Sequence, residues 1–318
     1  MFGLIHFFFS PHVWELTAPI FLSLLLLVAI ILFIFRKYKF GLMFLACGVL
    51  LNAMTETFAV SVPENINCES LTIMTYNTQS TSSVYMTQNR ENPMGMSELI
   101  MKQTADIVCL QEYEGWYCDY LKRLLDQDYP YFVQMPDMPK ESAVFSKYPI
   151  EDVKQIPGDL VMEMTINRKG GIIKLIVCHL ASNRFDSINK ELEGRAMWYE
   201  RFGSYMDGIN KAGEKRVDEV EKIKKRVKSC LSKGIPVVVC GDMNDVGGSK
   251  PLRILKSAGL KDAWWEKGLG FGFTYYGHQW MKFRLDHIMY SDALKCKSVK
   301  VVRQDFSDHN PIVAKFEL

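Results

Sequence analysis

Near its C-terminus the chain reads Ser307-Asp308-His309-Asn310-Pro311, followed by an alternating tail from Ile312 to Leu318. Histidine is the side chain whose ordinary pKa lies near neutrality, so His309 can take a proton from water. The carboxylate beside it can hold a divalent cation. Alone, an Asp-His pair is an ordinary loop feature. Here five further polar clusters stand upstream at strand-like ends, in a fixed order.

Asn77 follows the run Leu71 to Tyr76, and Glu112 follows Ile107 to Gln111. His179 follows Ile172 to Cys178, and Gly241-Asp242-Met243-Asn244 follows Pro236 to Cys240. Asp286-His287 interrupts the run Arg284 to Tyr290. Each apolar run thus ends in a residue that coordinates metal, accepts a proton or donates to an anion, which is how sites are built on rigid elements.

The chemistry these types suit is phosphoester cleavage. Hard oxygen ligands such as Glu112 and Asp308 fit Mg²⁺, or Mn²⁺, better than zinc. Such a cation polarises a phosphoryl oxygen and offsets transition-state charge. His309 would take the proton of the attacking water, with Asp286 orienting the ring. Asp242 and Asn244 would position that water, while Asn77 and His179 donate to phosphate oxygens. Each residue taken singly has a plainer explanation. Glu112 reads as a helix-start carboxylate, Asp242 and Asn244 as turn formers before Gly247-Gly248, His179 as a core histidine, and Asp286 as a partner of Arg284 or Lys282. His278 and His287 read as loop and strand filling. The aromatic run Phe271, Phe273, Tyr275, Tyr276 and Trp280 reads as core, with a substrate wall as the second reading. The joint occurrence of the clusters decides for chemistry.

The elements that must position these residues alternate in type. Strand-like segments fit Leu71 to Tyr76, Ile107 to Leu110, Ala143 to Phe145, Leu160 to Ile166, Ile172 to Cys178, Pro236 to Cys240, Arg284 to Tyr290, Val299 to Val302 and Ile312 to Phe316. Lys169-Gly170-Gly171 is a hairpin signal. Met96 to Thr104 reads as a helix capped by Ser97, and Trp116 to Leu125 as another. Ile188 to Lys233 is a charged, helix-compatible stretch with a break expected at Gly203 to Gly213. This alternation implies an α/β sandwich with one substantial core.

Charge is balanced, with 38 Lys+Arg against 36 Asp+Glu and a formal net charge of +2. That excludes a strongly basic, dedicated phosphate-backbone binder. Among the eight cysteines, Cys109, Cys178 and Cys240 lie inside apolar runs and read as small buried hydrophobes, and no CxxC spacing points to zinc or redox chemistry. Residues 1–62 carry only Glu15, Arg36, Lys37, Lys39 and Glu56 as formal charges. From Ala18 to Phe35 every residue but Pro19 and Ser23 is apolar, and a second run goes from Phe40 to Ala53. A spanning helix needs about 20 such residues. The first run is too long for a signal peptide and lacks a preceding basic region. The expected organisation is a membrane hairpin over 1–62, with helices at about 16–35 and 40–60, a linker over 63–70 and a catalytic domain over 71–318. The basic link Arg36-Lys37-Tyr38-Lys39 would stay cytoplasmic, leaving the catalytic domain facing outward from a bacterial inner membrane.

Seven segments together carry a resemblance: Tyr76-Asn77, Leu110-Gln111-Glu112, Ala143 to Ile150, His179-Leu180-Ala181-Ser182, Gly241-Asp242-Met243-Asn244, Arg284-Leu285-Asp286 and Ser307 to Pro311. From about Leu71 onward the chain resembles the endonuclease/exonuclease/phosphatase superfamily, the deoxyribonuclease I-like fold. The resemblance implies two packed β-sheets flanked by helices in a four-layer sandwich, with the site at one end. It also implies divalent-metal-dependent hydrolysis of phosphodiesters or phosphomonoesters, with Glu112, Asp308 and Asn77 toward the metal. The hairpin looks like that of membrane-tethered bacterial members. Where the family often has glycine or asparagine, this chain has Lys140-Glu141-Ser142. Nucleases of the family place a glutamate near here to support the first histidine, so Glu141 either pairs with His179 or is a solvated hairpin carboxylate. The expected partners are a phosphoester substrate (nucleic acid, phospholipid or small phosphodiester) and the membrane. The competing class is a membrane-anchored, non-catalytic binding module, which the intact constellation disfavours.

Overall fold

The strand-like runs are apolar at consecutive positions because both faces of each sheet are covered. In a computed structural model of the chain, residues 11–62, 64, 69–79, 93–113, 118–138, 141–183, 198–277 and 282–317 are described. The elements begin with helices α1 (Pro11–Ile34) and α2 (Tyr38–Thr55) and strands β1 (Ala59–Val60) and β2 (Ser70–Asn77). There follow α3 (Pro93–Lys102), β3 (Ile107–Gln111), α4 (Cys118–Leu125), β4 (Tyr131–Gln134), β5 (Ser142–Ser146), β6 (Ile150–Gln155), β7 (Val161–Arg168) and β8 (Gly171–His179). The C-terminal part comprises α5 (Trp198–Leu231), β9 (Val237–Asp242), α6 (Lys250–Lys256), β10 (Leu260–Asp262), α7 (Ala263–Lys267), β11 (Leu269–Gly270), β12 (Asp286–Ser291), β13 (Lys295–Val301) and β14 (Ile312–Glu317).

Two mixed six-stranded sheets result, ordered β13-β14-β2-β3-β5-β4 and β10-β12-β9-β8-β7-β6. Successive side chains of one strand face opposite ways. Ile107 and Cys109 point into the core between the sheets, with Val238, Cys240, Val177 and Ile288. Val108 and Leu110 point outward against Ile100 of α3 and Leu121 of α4. Val239 and Ile176 point outward against Val220 and Val227 of α5 and Leu252 of α6. The order is therefore helices, sheet, sheet, helices.

Several elements differ from expectation. Ser97 lies inside α3 and donates back to the Met94 carbonyl, so it is not the cap. α5 runs unbroken through Gly203 and Gly213. Gly213 is where the ring of His12 from α1 packs directly on the helix, leaving no room for a Cβ. α2 ends at Thr55, with Glu56 left-handed at its C-cap, instead of reaching 60. Ala59 and Val60 instead pair with Gly270 and Leu269. Asp286 opens β12 and does not interrupt it. The expected linker residues Pro63 and 65–68, Cys68, Trp116, Lys140, 188–197, His278 and Trp280 lie outside the described residues.

His12–Ile34 and Tyr38–Thr55 are each long and apolar enough to cross a membrane. They pack as a hairpin through Gly41 against Phe33 and Gly48 against Leu22, the small-residue contact typical of helices in lipid. Their other faces leave Leu24, Leu27, Ile34, Leu42, Leu50 and Met54 exposed.

Candidate active site

Register brings the polar strand ends together. His179 and Asp286 each lie opposite Asp242, one on either side of β9. In the other sheet Asn77 lies opposite Gln111, and Ile312 opposite Thr75, so Glu112 and His309 emerge at the same end. β9 can approach β8 this closely because residue 241 is glycine. Its φ is +139°, and a Cβ would strike the Cys178 carbonyl. All eight residues expected at the site, Asn77, Glu112, His179, Asp242, Asn244, Asp286, Asp308 and His309, are within the described residues and stand at this end.

Asn77 joins the two sheets. Its Nδ2 donates to Glu112 Oε1 at 2.9 Å and to Asp242 Oδ2 at 3.0 Å. Its Oδ1 accepts from the Gln79 N–H at 2.9 Å, so the amide nitrogen, not the oxygen, faces the carboxylates. Asp242 Oδ2 is the hub, 3.8 Å from both His179 Nε2 and His309 Nε2. His309 Nδ1 lies 2.7 Å from Asp286 Oδ2. Asp286 is held in turn by the Thr274 hydroxyl, which accepts from its N–H at 3.1 Å. His179 Nδ1 lies 2.6 Å from Glu141 Oε1 and its Nε2 lies 3.8 Å from Glu112 Oε1, so Glu141 is a ring partner. Asn244 sits differently. Its N–H caps Asp242 Oδ1 and its side chain donates to the Leu180 carbonyl, which fixes the Asp242 loop. Asp308 Oδ2 accepts from Gln79 Nε2 at 2.9 Å.

The site has a depth gradient. Asp286, Asp242 and Asn77 form a buried floor. The Glu112 side chain, 29% exposed, forms the rim. Glu112 and Asn244 both adopt left-handed backbone, φ +50°. That is uncommon for a glutamate and turns its carboxylate back over the strand end. The Thr78 hydroxyl, which donates to the carbonyls of Gln111 and Glu112, holds this turn.

Five carboxylates (Glu112, Glu141, Asp242, Asp286 and Asp308) converge on two imidazoles. Burial alone would lower both rings. For His309 the charges of Asp286 and Asp242, with the Asp286 hydrogen bond, outweigh burial and raise it to about 10. For His179 the Glu141 hydrogen bond and the charges of Asp242 and Glu112 raise it to about 9. Asp286 Oδ1 is buried with no hydrogen-bond partner. Uncompensated negative charge and hard oxygen donors fit a divalent cation. Ligand atoms of Asp242, Asp286 and His309 lie within 4.8 Å of one another.

Sequence reasoning missed Gln79, which bridges Asn77 and Asp308, and Ser307, which donates to the Asn77 carbonyl at 2.8 Å and accepts from the His309 N–H at 3.0 Å. Position beside the motifs was the available signal for both. Of the aromatic run, Phe271, Phe273, Tyr275 and Tyr276 are half-buried instead of fully buried. Phe271 stacks on Phe273, and the Tyr275 ring lies 5.0 Å from that of His309. His287 is no mere filling, since it contacts Arg284, Asp262 and the Asp245 carbonyl.

The family model described as Endonuclease/Exonuclease/phosphatase family matches residues 74–309. No curated protein matches the chain by sequence. Among solved structures, truncated TDP2 of Caenorhabditis elegans superposes with TM-score 0.55 at 18% identity, over 78% of this chain and 98% of that one. Sphingomyelinase C from Streptomyces griseocarneus gives 0.53 at 17% identity, over 79% and 100%. A mannosyl-6-phosphatase of Bacteroides thetaiotaomicron gives 0.55 at 17% identity, over 78% and 100%. At these identities the likeness is one of fold. With the family model covering most of its length, the chain belongs to the endonuclease/exonuclease/phosphatase family.

Proposed function

We propose that this member of the endonuclease/exonuclease/phosphatase family is a membrane-anchored, Mg²⁺-dependent hydrolase of phosphoesters, acting on a phosphodiester. The observation that carries the reading is the convergence at one sandwich end of the Asp286–His309 dyad, the Asn77 bridge and an excess of carboxylates. The activities for which structural neighbours are named, a sphingomyelinase and a mannosyl-6-phosphatase among them, are phosphoester hydrolyses and support the reaction class.

Glu112 and Asp308 would hold the cation, with Asn77 steadying Glu112. When bound, the cation supplies Lewis-acid polarisation of the phosphoryl oxygen and balances transition-state charge. His309 takes the proton of the attacking water through Nε2, while Asp286 holds Nδ1 and stabilises the charged ring. Asp242, 3.8 Å from that Nε2, orients the water, and Asn244 holds Asp242. His179, kept protonated by Glu141, donates to a phosphate oxygen. With positive charge among the carboxylates, the groups that keep His309 protonated are shared, and its pKa falls toward the range a base needs.

Residues 1–62 anchor the protein as a hairpin with its basic link in the cytoplasm and 71–318 outside. A reporter fused after Ser70 tests this: alkaline phosphatase activity without fluorescence of a green fluorescent protein fusion is expected. The hydrolase reading is tested with the full chain on DNA, RNA, a lipid phosphodiester, an inositol phosphate and an aryl phosphodiester, with and without Mg²⁺. Turnover of at least one, lost on chelation, is expected. No turnover of any would refute it.

A further inference from the structure

Resting on that membrane-anchored hydrolase reading, we infer that the substrate is the phosphoester headgroup of a lipid, taken from the leaflet that both ends of the hairpin reach. The hairpin is seated against segments that flank the active site instead of trailing from the domain. Val13 and Leu16 of α1 share one buried cluster with Val246, Phe283 and Leu285, and Tyr275 packs on that cluster. Val246 is two residues past Asn244, and Leu285 immediately precedes Asp286. Tyr275 is the ring 5.0 Å from His309. One aromatic side chain therefore separates the general base from the layer that holds the membrane helix.

Depth follows from length. About 20 residues cross the hydrocarbon core, and the interfacial layer beyond it is roughly 5–8 Å thick on each side. With Phe35 at the far boundary, Val13 to Leu16 stand at the near headgroup layer, where lipid phosphates also lie. The seat is held by charge as well. Glu15 pairs with Arg253 at 2.7 Å and accepts the Lys250 N–H at 3.1 Å. Glu56, just past α2, pairs with Lys256, and Arg284 donates to its carbonyl at 3.4 Å. Both ends of the hairpin are thus tied to segments flanking Asp242 and Asp286.

A second, independent feature lies at the same end. Within seven residues of Thr55, Val60 and Val62 are 80% and 79% exposed, and Leu269, paired with Val60, is 69% exposed. Beside them Phe58 packs edge-on against Phe271 at 5.0 Å, and Phe271 stacks on Phe273. Exposed aliphatic side chains beside half-buried aromatic rings, adjoining a spanning helix, are what a bilayer interface buries. A cavity of about 670 Å³ opens from His179 between the end of β8 and α5, with Lys211, Lys215 and Asp207 on its wall. That volume lies in the range of small-ligand pockets and would admit a headgroup.

The test uses the full chain reconstituted with Mg²⁺ in vesicles of mixed phosphatidylcholine, phosphatidylglycerol, phosphatidylinositol and sphingomyelin. The same headgroups as short-chain, water-soluble esters, single-stranded DNA and bis(p-nitrophenyl) phosphate serve as comparators. Vesicle lipid should turn over at least tenfold faster than its soluble counterpart, at a rate that follows its surface mole fraction at constant bulk concentration. Val60→Glu and Leu269→Glu should each lower the ratio of lipid to aryl-diester turnover at least fivefold. Aryl-diester or DNA hydrolysis with no preference for vesicle lipid, or an unchanged ratio in both variants, overturns the inference and leaves the hydrolase reading standing. Absence of hydrolysis on every substrate overturns both.

Discussion

Asp286 and His287 are neighbours on β12, both fully buried, yet they belong to opposite kinds of polar cluster. Asp286 faces the catalytic end, where five carboxylates meet two imidazoles and one oxygen, Asp286 Oδ1, has no partner. His287 faces the other way into a balanced network. Arg284 donates to Asp262 Oδ2 at 2.7 Å, and the two nitrogens of His287 lie 3.2 Å from that carboxylate and 2.9 Å from the Asp245 carbonyl. Asp245 pairs with buried Arg216 at 2.9 Å, and Arg216 donates onward to Ala181 and Asn183. Burial would raise the Asp262 carboxyl, but the Arg284 charge and the His287 hydrogen bond hold it well below the usual carboxylate range. The network ends at the Glu56 carbonyl, on the hairpin. Where buried charge is matched, the cluster is scaffold. Where it is left in excess, the cluster is the one proposed to take a cation and a phosphate.

The sharpest way to break that distinction is to remove one group from each cluster and read rate and stability separately. In the unbalanced cluster rate should move strongly, and stability should change only through the protons its two rings hold. Glu112→Gln is expected to abolish Mg²⁺-dependent hydrolysis with the fold intact. His309→Ala should cost ~10²–10⁴-fold in kcat, the usual contribution of a positioned base, and Asp286→Asn should cost less. Near wild-type turnover in Glu112→Gln, measured on the best substrate of the panel, would remove it from the metal site.

In the balanced cluster the response should invert. Asp262→Ala strands Arg284, buried, without its counter-charge. Breaking such a pair from one side costs roughly 3–5 kcal/mol. Chemical unfolding of the full chain in detergent should show that loss, while kcat of the protein that remains folded changes less than in Asp286→Asn. A stability change within about 0.5 kcal/mol would show that Arg284 finds another partner and that the network is not the scaffold proposed.

The two clusters were unequally legible in the sequence. The strand-end residues announced themselves because each closes an apolar run; the alternation of elements implied an α/β sandwich, and the family resemblance implied its four layers. The balanced network was invisible, because Asp262, Arg216 and Asp245 sit in no motif and acquire meaning only through contacts dozens of positions away. Glu141 lay between two readings, and the 2.6 Å contact with His179 favours the ring partner. The unbroken α5 went unread for a related reason. Its glycines look like breaks locally, but Gly213 serves a tertiary contact with His12. The end of α2 was overrun by pattern, since the apolar Phe58 to Val62 continues the hairpin's composition while Ala59 and Val60 pair as a strand.

The smallest expected effect tests the unbalanced cluster from its rim. Glu141 supplies the largest of the interactions that raise His179 to about 9 from an ordinary 6.5. A ring whose folded pKa is raised contributes stability that is fully present below pH 6.5 and is lost as pH rises through about 9. The cation-free protein should therefore lose thermal midpoint steadily across that window. The limiting slope is about 1.4 kcal/mol per pH unit for each proton bound only in the folded state. His309, raised to about 10, extends the same decline upward. Glu141→Gln removes one charge and weakens the hydrogen bond to a neutral one, so His179 should titrate lower and the decline between pH 6.5 and 9 should flatten. Thermal midpoints of both proteins in chelator, taken at half-unit intervals, measure this directly. Parallel curves would mean that Glu141 does not set the charge of the ring, and His179 would then have to be held protonated by Asp242 and Glu112 alone.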